Sequence, residues 1–158
     1  MAVSTIPAVK ALIEARLVAD PAIGAASPAV QVTYGVWHAG LERESVLLGD
    51  TRPGGEVFHA QGGSRDEEYV LEIRVRVTQN VRELQRVTTE RAFTLTAAIE
   101  NSLRAWGLET PAFGGTVTGG GFMHWAVITA VYHRELVLEA SQERIAEVTI
   151  EVSCKAQV

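Results

Sequence analysis

Four histidines, one cysteine, two glycine-rich stretches and several alternating charges are the features of this chain that could carry chemistry. His38, His59, His124 and His133 lie far apart, and none forms His-x-His or His-Glu-x-x-His. His133 and Glu135 are two residues apart, so a strand would present both on one face. A metal site needs three or four converging ligands, and such a pair supplies two. Zinc deaminases need further cysteines after their His-x-Glu. Cys154 is alone, so it can neither close an internal disulfide nor by itself hold structural zinc, and it implies no oxidising compartment. Ser45, Ser64 and Ser141 lack the Gly-x-Ser-x-Gly setting of a hydrolase nucleophile. Gly114 to Gly121 has glycines and threonines but no lysine, and it opens a strand, so it lacks the helix N-terminus that holds a phosphate. Glu42/Glu44 and Glu67-Glu68 read as solvated charge. Nothing joins nucleophile, base and orienting group. No residue is expected to act in catalysis, to bind a cofactor or to ligate a metal.

The alternating charges say more. Glu72, Arg74 and Arg76 share one strand face, and Glu147, Thr149 and Glu151 share another. Adjacent, they would pair across strands for about 0.2–1 kcal/mol each. Such a face is either solvated or set against another subunit, where opposite charges fix register. Arginine is the basic residue favoured in interfaces. Residues 50–66 add Arg52, Phe58 and Arg65, an aromatic between basic neighbours that could order on assembly. The candidate subunit or partner contacts are Arg52, Phe58, Arg65, Arg74, Arg76, Glu147 and Glu151.

Seven elements must position these residues. Ile6, Val9, Ile13 and Leu17, widened by Leu12, predict an N-terminal helix. Ser4 or Thr5 caps it, Pro7 suits its first turn, and Asp20-Pro21 ends it. Val30, Val32 and Tyr34 predict a strand running as far as Trp37, and Ser45 to Gly49 a short second one. Asp50 to Asp66 reads as a long glycine-rich loop, removable from Gly54 to Gly63 without loss of the fold. Tyr69, Leu71, Ile73, Val75 and Val77 then alternate as the core face of the clearest strand. A helix follows from Val81 to Trp106, capped by Asn80 or Thr78 and stopped by Gly107. Its stripe is Leu84, Val87, Ala92, Leu95, Ile99, Leu103 and Trp106. Residues 110–121 form a second flexible loop, followed by strands over Phe122–Glu135 and Ala146–Cys154. Val148, Ile150, Val152 and Cys154 face the core. The order α-β-β-β-α-β-β predicts an α+β domain, a mostly antiparallel sheet of about five strands with both helices on one face.

The bulk numbers agree. The chain has 158 residues and a formal net charge of −5, with 47% apolar and 21% charged residues. Its mean hydropathy is +0.11. That is one domain, spanning 1–158, with enough chain to bury a core, and not a disordered one. Net acidity makes nucleic acid an unexpected primary partner. Lys10, Glu14, Arg16 and Asp20 interrupt the apolar N-terminal segment, so neither a membrane span nor a signal peptide is expected there, and the expected location is the cytoplasm.

Taken together, a short N-terminal helix, a Val-x-Val strand, Ser45-Val46-Leu47-Leu48-Gly49-Asp50, a glycine-rich loop, Glu68-Tyr69-Val70-Leu71-Glu72-Ile73-Arg74-Val75, a long helix carrying Glu90-Arg91-Ala92 and paired C-terminal strands form a pattern. It resembles the tail terminator, or tail completion, proteins of long-tailed bacteriophages and their relatives in prophages and gene transfer agents. The chain departs from that family in the loop at Asp50 to Asp66 and in the triple glycine at Gly119 to Gly121. The resemblance implies a non-enzymatic virion protein without cofactors. It implies a ring, typically of six copies, that ends growth of the tail tube and offers a surface to the head–tail connector. Its partners would be itself, the tail tube protein and the connector, with viral DNA passing through unread and no membrane. It would assemble in the host cytoplasm and remain in the virion tail. Ring closure needs head-to-tail contacts. Two other readings stay open: a neck or head-completion protein of the same virus class, and a small-molecule-binding domain or enzyme with a pocket beneath residues 50–66.

Overall fold

A computed structural model describes residues 4–35, 41–58, 65–80, 85–105, 116–117, 121–138 and 143–158. Helix α1 runs over Ile6–Ala19 and helix α2 over Gln85–Ala105. Six strands form one sheet: β1 (Gln31–Tyr34), β2 (Glu44–Phe58), β3 (Arg65–Gln79), β4 (Thr116–Val117), β5 (Gly121–Leu138) and β6 (Glu143–Gln157). Their spatial order is β1-β2-β3-β6-β5-β4. All neighbours are antiparallel except β1 and β2, which run parallel. The α+β architecture expected from the sequence is the one observed, with the two-residue β4 added.

The core lies between one sheet face and both helices. β3 sits at the centre and buries Tyr69, Leu71, Ile73, Val75 and Val77, while β6 buries Ala146, Val148, Ile150, Val152, Cys154 and Ala156. Val46 and Leu48 of β2 and Met123 and Ala126 of β5 extend the same face. Val9, Ile13 and Leu17 of α1 close over it with Ala92, Leu95, Ile99 and Leu103 of α2. Period-two alternation on β2, β3 and β6 and three- and four-residue spacing on the helices place these side chains. On β5 a register irregularity between Met123 and Trp125 brings Met123 and Ala126, three residues apart, to the same face. Cys154 is a packed hydrophobe whose burial pushes its thiol pKa up to about 12.

Three expectations need correction. Residues 50–58 are not loop: β2 continues through them, paired residue by residue with β3 as far as Phe58 opposite Arg65. Two irregularities, between Leu48 and Thr51 and between Pro53 and Gly55, carry the strand past residues that alone read as a break. Removing Gly54 to Gly63 would therefore cut a strand. The second loop likewise contains β4, and Gly121 already belongs to β5. On α2, Val87 is exposed and Thr88 is buried. Val87 lies five residues before Ala92, about 140° round the helix, whereas Thr88 lies four before it on the buried side. The expected strand end at Val36-Trp37, the helix ends at 81–84 and 106–107, His38, His59, Ser64, Ser141 and most of 110–120 fall outside the described residues.

The start of α1 is capped from a distance. Ser4 Oγ accepts from the Ile6 N–H at 3.2 Å, but Thr5 makes no side-chain cap. Instead the Glu67 carboxylate of β3 accepts from the Thr5 N–H at 2.9 Å and from the Thr5 hydroxyl at 3.0 Å. A carboxylate at that end also suits the helix dipole. At the far end Asp20 is extended, with ψ of 126°, as a residue before proline must be. Gly24 then crosses the helix end so closely that a Cβ there would lie 2.4 Å from the Val18 carbonyl oxygen. Gly24→Ala is expected to destabilise the domain by about 1–3 kcal/mol, read as a lower urea midpoint. An unchanged midpoint would mean that this turn yields freely.

Candidate assembly surface

The sheet face turned away from the helices gathers the charges that the sequence spread over three segments. β3 and β6 set Glu72 opposite Glu151, Arg74 opposite Thr149 and Arg76 opposite Glu147. Like-charged Glu72 and Glu151 would repel, and Arg52 of β2 answers them by contacting both, the first at 3.5 Å. Arg74 donates to Glu72 at 2.7 Å and lies 3.9 Å from Asp50. The hydrogen bond to Glu72 raises the Arg74 pKa above its ordinary value, more than burial lowers it. Arg134 of β5 donates to Glu147 at 2.7 Å. Toward the other end, Lys155 reaches Glu68 at 3.2 Å and Asp66 at 3.7 Å. The long side chains lie over one another, which leaves Glu72, Glu147 and Glu151 only 14–17% exposed.

This lattice surrounds an apolar floor. Leu47 and Ile145 are almost fully buried although they point to the helix-free side. With Leu136 they line a hollow of about 360 Å³, bordered by Arg74, Arg76, Arg134 and Glu147. A second hollow of about 330 Å³ lies along the same face between Glu72, Arg74, Tyr132 and Glu151. Both are open depressions lined by arginine–carboxylate pairs, a chemistry suited to holding a protein surface in register. A further depression of about 610 Å³ sits at the sheet end between Pro28, Glu44 and Asn80. Beside it Arg91 of α2 grips the Glu44 carboxylate with two bonds of 2.8 and 2.7 Å.

Five of the seven candidate residues therefore meet on one surface: Arg52, Arg74, Arg76, Glu147 and Glu151. Arg65 does not join them. It lies on the helix side, donating to Glu67 at 2.8 Å, and its backbone pairs with the chain end at Val158. Phe58 is opposite Arg65 at the end of β2. Reasoning from sequence missed Arg134, Tyr132 and Leu136. They alternate at period two within the stretch Val131 to Leu138, and that pattern alone does not separate a partner-facing side from a packed one. It missed Leu47 and Ile145 as well, because an apolar residue on a nominally polar face carries no mark in the sequence.

Among the described residues no three His, Cys, Asp or Glu side chains converge as metal ligands. No described helix is long and apolar enough to cross a membrane.

Comparison with known proteins adds a likeness of fold. No family model matches the chain, and no curated protein matches it. Among solved structures, a chain in the virion of a native gene transfer agent particle is similar, with a TM-score of 0.59 and 15% identity. The match covers 96% of this chain and 98% of that one. The two share one fold over nearly their whole lengths.

Proposed function

We propose that this chain is a virion assembly protein of the tail terminator type. Copies join head to tail into a ring, six being the expected number. The ring caps the tail tube, ends its growth and offers a surface to the head–tail connector. The reading rests chiefly on the end-to-end match of fold with a chain of a gene transfer agent virion. The helix-free face supports it, being built of arginine–carboxylate pairs around open hollows, which suits recognition of another protein surface. A deep cavity with converging reactive groups would suit an enzyme instead. The net charge of −5 fits a ring through which DNA slides without being held. Assembly would take place in the host cytoplasm, and the product would stay in the virion tail.

The test is the native mass of the full chain with and without purified tail tubes, with electron-microscope imaging of tube ends. Rings on tube ends and tubes of arrested length are expected. The double variant Arg52→Ala, Arg76→Ala should keep a cooperative melt and lose capping, since both side chains lie outside the core. Tubes that elongate unhindered in the presence of the wild-type chain would overturn the assignment. Binding to head connectors but never to tubes would replace it with the neck or head-completion role.

A further inference from the structure

The sheet has two margins, and they differ in how they are protected. On one side β1 covers Ser45 to Leu48. Beyond it β2 carries Pro53, which has no N–H to offer, and two irregularities, all devices that discourage another strand from adding. On the other side β4 pairs only with Gly121 and Phe122, so Met123 to Leu138 meet no outer strand among the described residues. No proline interrupts this stretch. Instead Val131, Tyr132, Leu136 and Val137 are 42%, 57%, 37% and 47% exposed. An open edge with apolar side chains on both faces is a surface that invites cover.

The residue order indicates what covers it. Val131-Tyr132-His133-Arg134-Glu135-Leu136-Val137 has the same character read in either direction from Arg134. Two antiparallel copies related by a two-fold axis normal to the sheet keep their faces, so residues of equal parity oppose each other. Centred on Arg134, Val131 opposes Val137 and Tyr132 opposes Leu136. His133 of one copy then opposes Glu135 of the other, an acid facing an imidazole. Within one copy these two already lie 3.7 Å apart. Moving the centre to His133 would set Tyr132 against Arg134 and Val131 against Glu135. Moving it to Glu135 would set Leu136 against Arg134 and Val137 against His133. Only the Arg134 centre matches apolar with apolar and acid with imidazole. Its one like-charged pair is Arg134 on itself, and each Arg134 holds its own Glu147 at 2.7 Å, so carboxylates flank the two guanidinium groups.

We propose that two copies of this chain pair through β5, antiparallel and centred on Arg134, to form one continuous sheet with all helices on the same side. The pairing goes beyond the ring reading and needs only this chain. A two-fold contact does not propagate around a head-to-tail ring, so it belongs to the free protein, and ring building begins when the pair separates.

The test uses the full chain at micromolar concentration. Sedimentation is expected to give a dimer, and Leu136→Lys a folded monomer. Arg134→Cys under mild oxidation should link the copies, because facing Cα atoms lie about 4.5–5.5 Å apart, within disulfide reach. Val137→Cys should not link them, since its two positions fall about 20 Å apart. Cys154 is buried and does not compete. His133→Glu sets carboxylate against carboxylate and should weaken pairing about tenfold, and adding Glu135→His should restore it. A monomeric wild type, equal linking at 134 and 137, or a double exchange no tighter than the single would each overturn the proposal. Tube-capping rings from a chain that is monomeric when free would overturn the pairing alone. A dimer linked through 134 that never caps a tube would support the pairing and overturn the ring reading alone.

Discussion

Ile73→Asp is expected to leave no folded domain. Ile73 is fully buried on the central strand, in register with Leu48 on one side and Ile150 on the other. Among the described residues the cluster that surrounds a carboxylate there holds no cation, and its side chains offer no hydrogen-bond donor apart from the Tyr69 hydroxyl and the Cys154 thiol. An unpaired buried charge costs about 5 kcal/mol or more, and losing the isoleucine's packing adds about 2–5 kcal/mol. The sum rivals the whole stability of an ordinary domain, about 5–15 kcal/mol. Circular dichroism during heating should lose its cooperative step. Glu72→Ala, one residue away but on the helix-free face, should keep it. A wild-type-like melt for the aspartate variant would mean that the two faces of β3 have been assigned the wrong way round.

Glu67→Ala should be nearly as damaging, though the residue is charged and the substitution small. Glu67 is 5% exposed, and its carboxylate accepts bonds from four donors. These are the Thr5 N–H, the Thr5 and Ser4 hydroxyls, and the Arg65 guanidinium. Removing the carboxylate leaves Arg65 without that ion pair and takes away the acceptor of the Thr5 N–H and hydroxyl, so that only Ser4, on the Ile6 N–H, still caps the start of α1. Breaking a buried pair from one side typically costs about 3–5 kcal/mol. The neighbouring Tyr69 hydroxyl lies 3.3 Å from Thr5 Oγ1, and burial drives its pKa well above the phenolic norm, so it stays protonated and cannot take over as an anion. The urea midpoint should fall accordingly, with Glu67→Gln intermediate because it keeps one acceptor and loses the charge. A loss below about 1 kcal/mol would reduce the network to a surface contact.

Much of this was legible along the chain because local periodicity carries it. The alternation from Tyr69 to Val77 names the buried face of β3 without any partner in view, and the spacing of Val9, Ile13 and Leu17 does the same for α1. Val87 shows how this signal fails: apolar identity argued for the core, while helix geometry put Thr88 there instead. The long β2 was illegible for a different reason. Its second half contains Pro53, Gly54 and Gly55, which disfavour a strand taken alone, and only the ladder offered by β3 holds them extended. Glu67 read as half of a solvated acidic pair because the donors that bury it arrive from Ser4 and Thr5, more than sixty residues away.

For the surface, the chain by itself determined which residue types alternate and therefore which side chains share a face, since backbone pleating depends on nothing distant. Which faces adjoin was decided by the tertiary structure. Strand order brought Glu72 against Glu151 and Arg52 onto both, sank Leu47 and Ile145 into a hollow, and left β5 at the margin. Those outcomes depend on pairing between segments up to a hundred residues apart, which hydrophobic burial selects globally and no local pattern encodes.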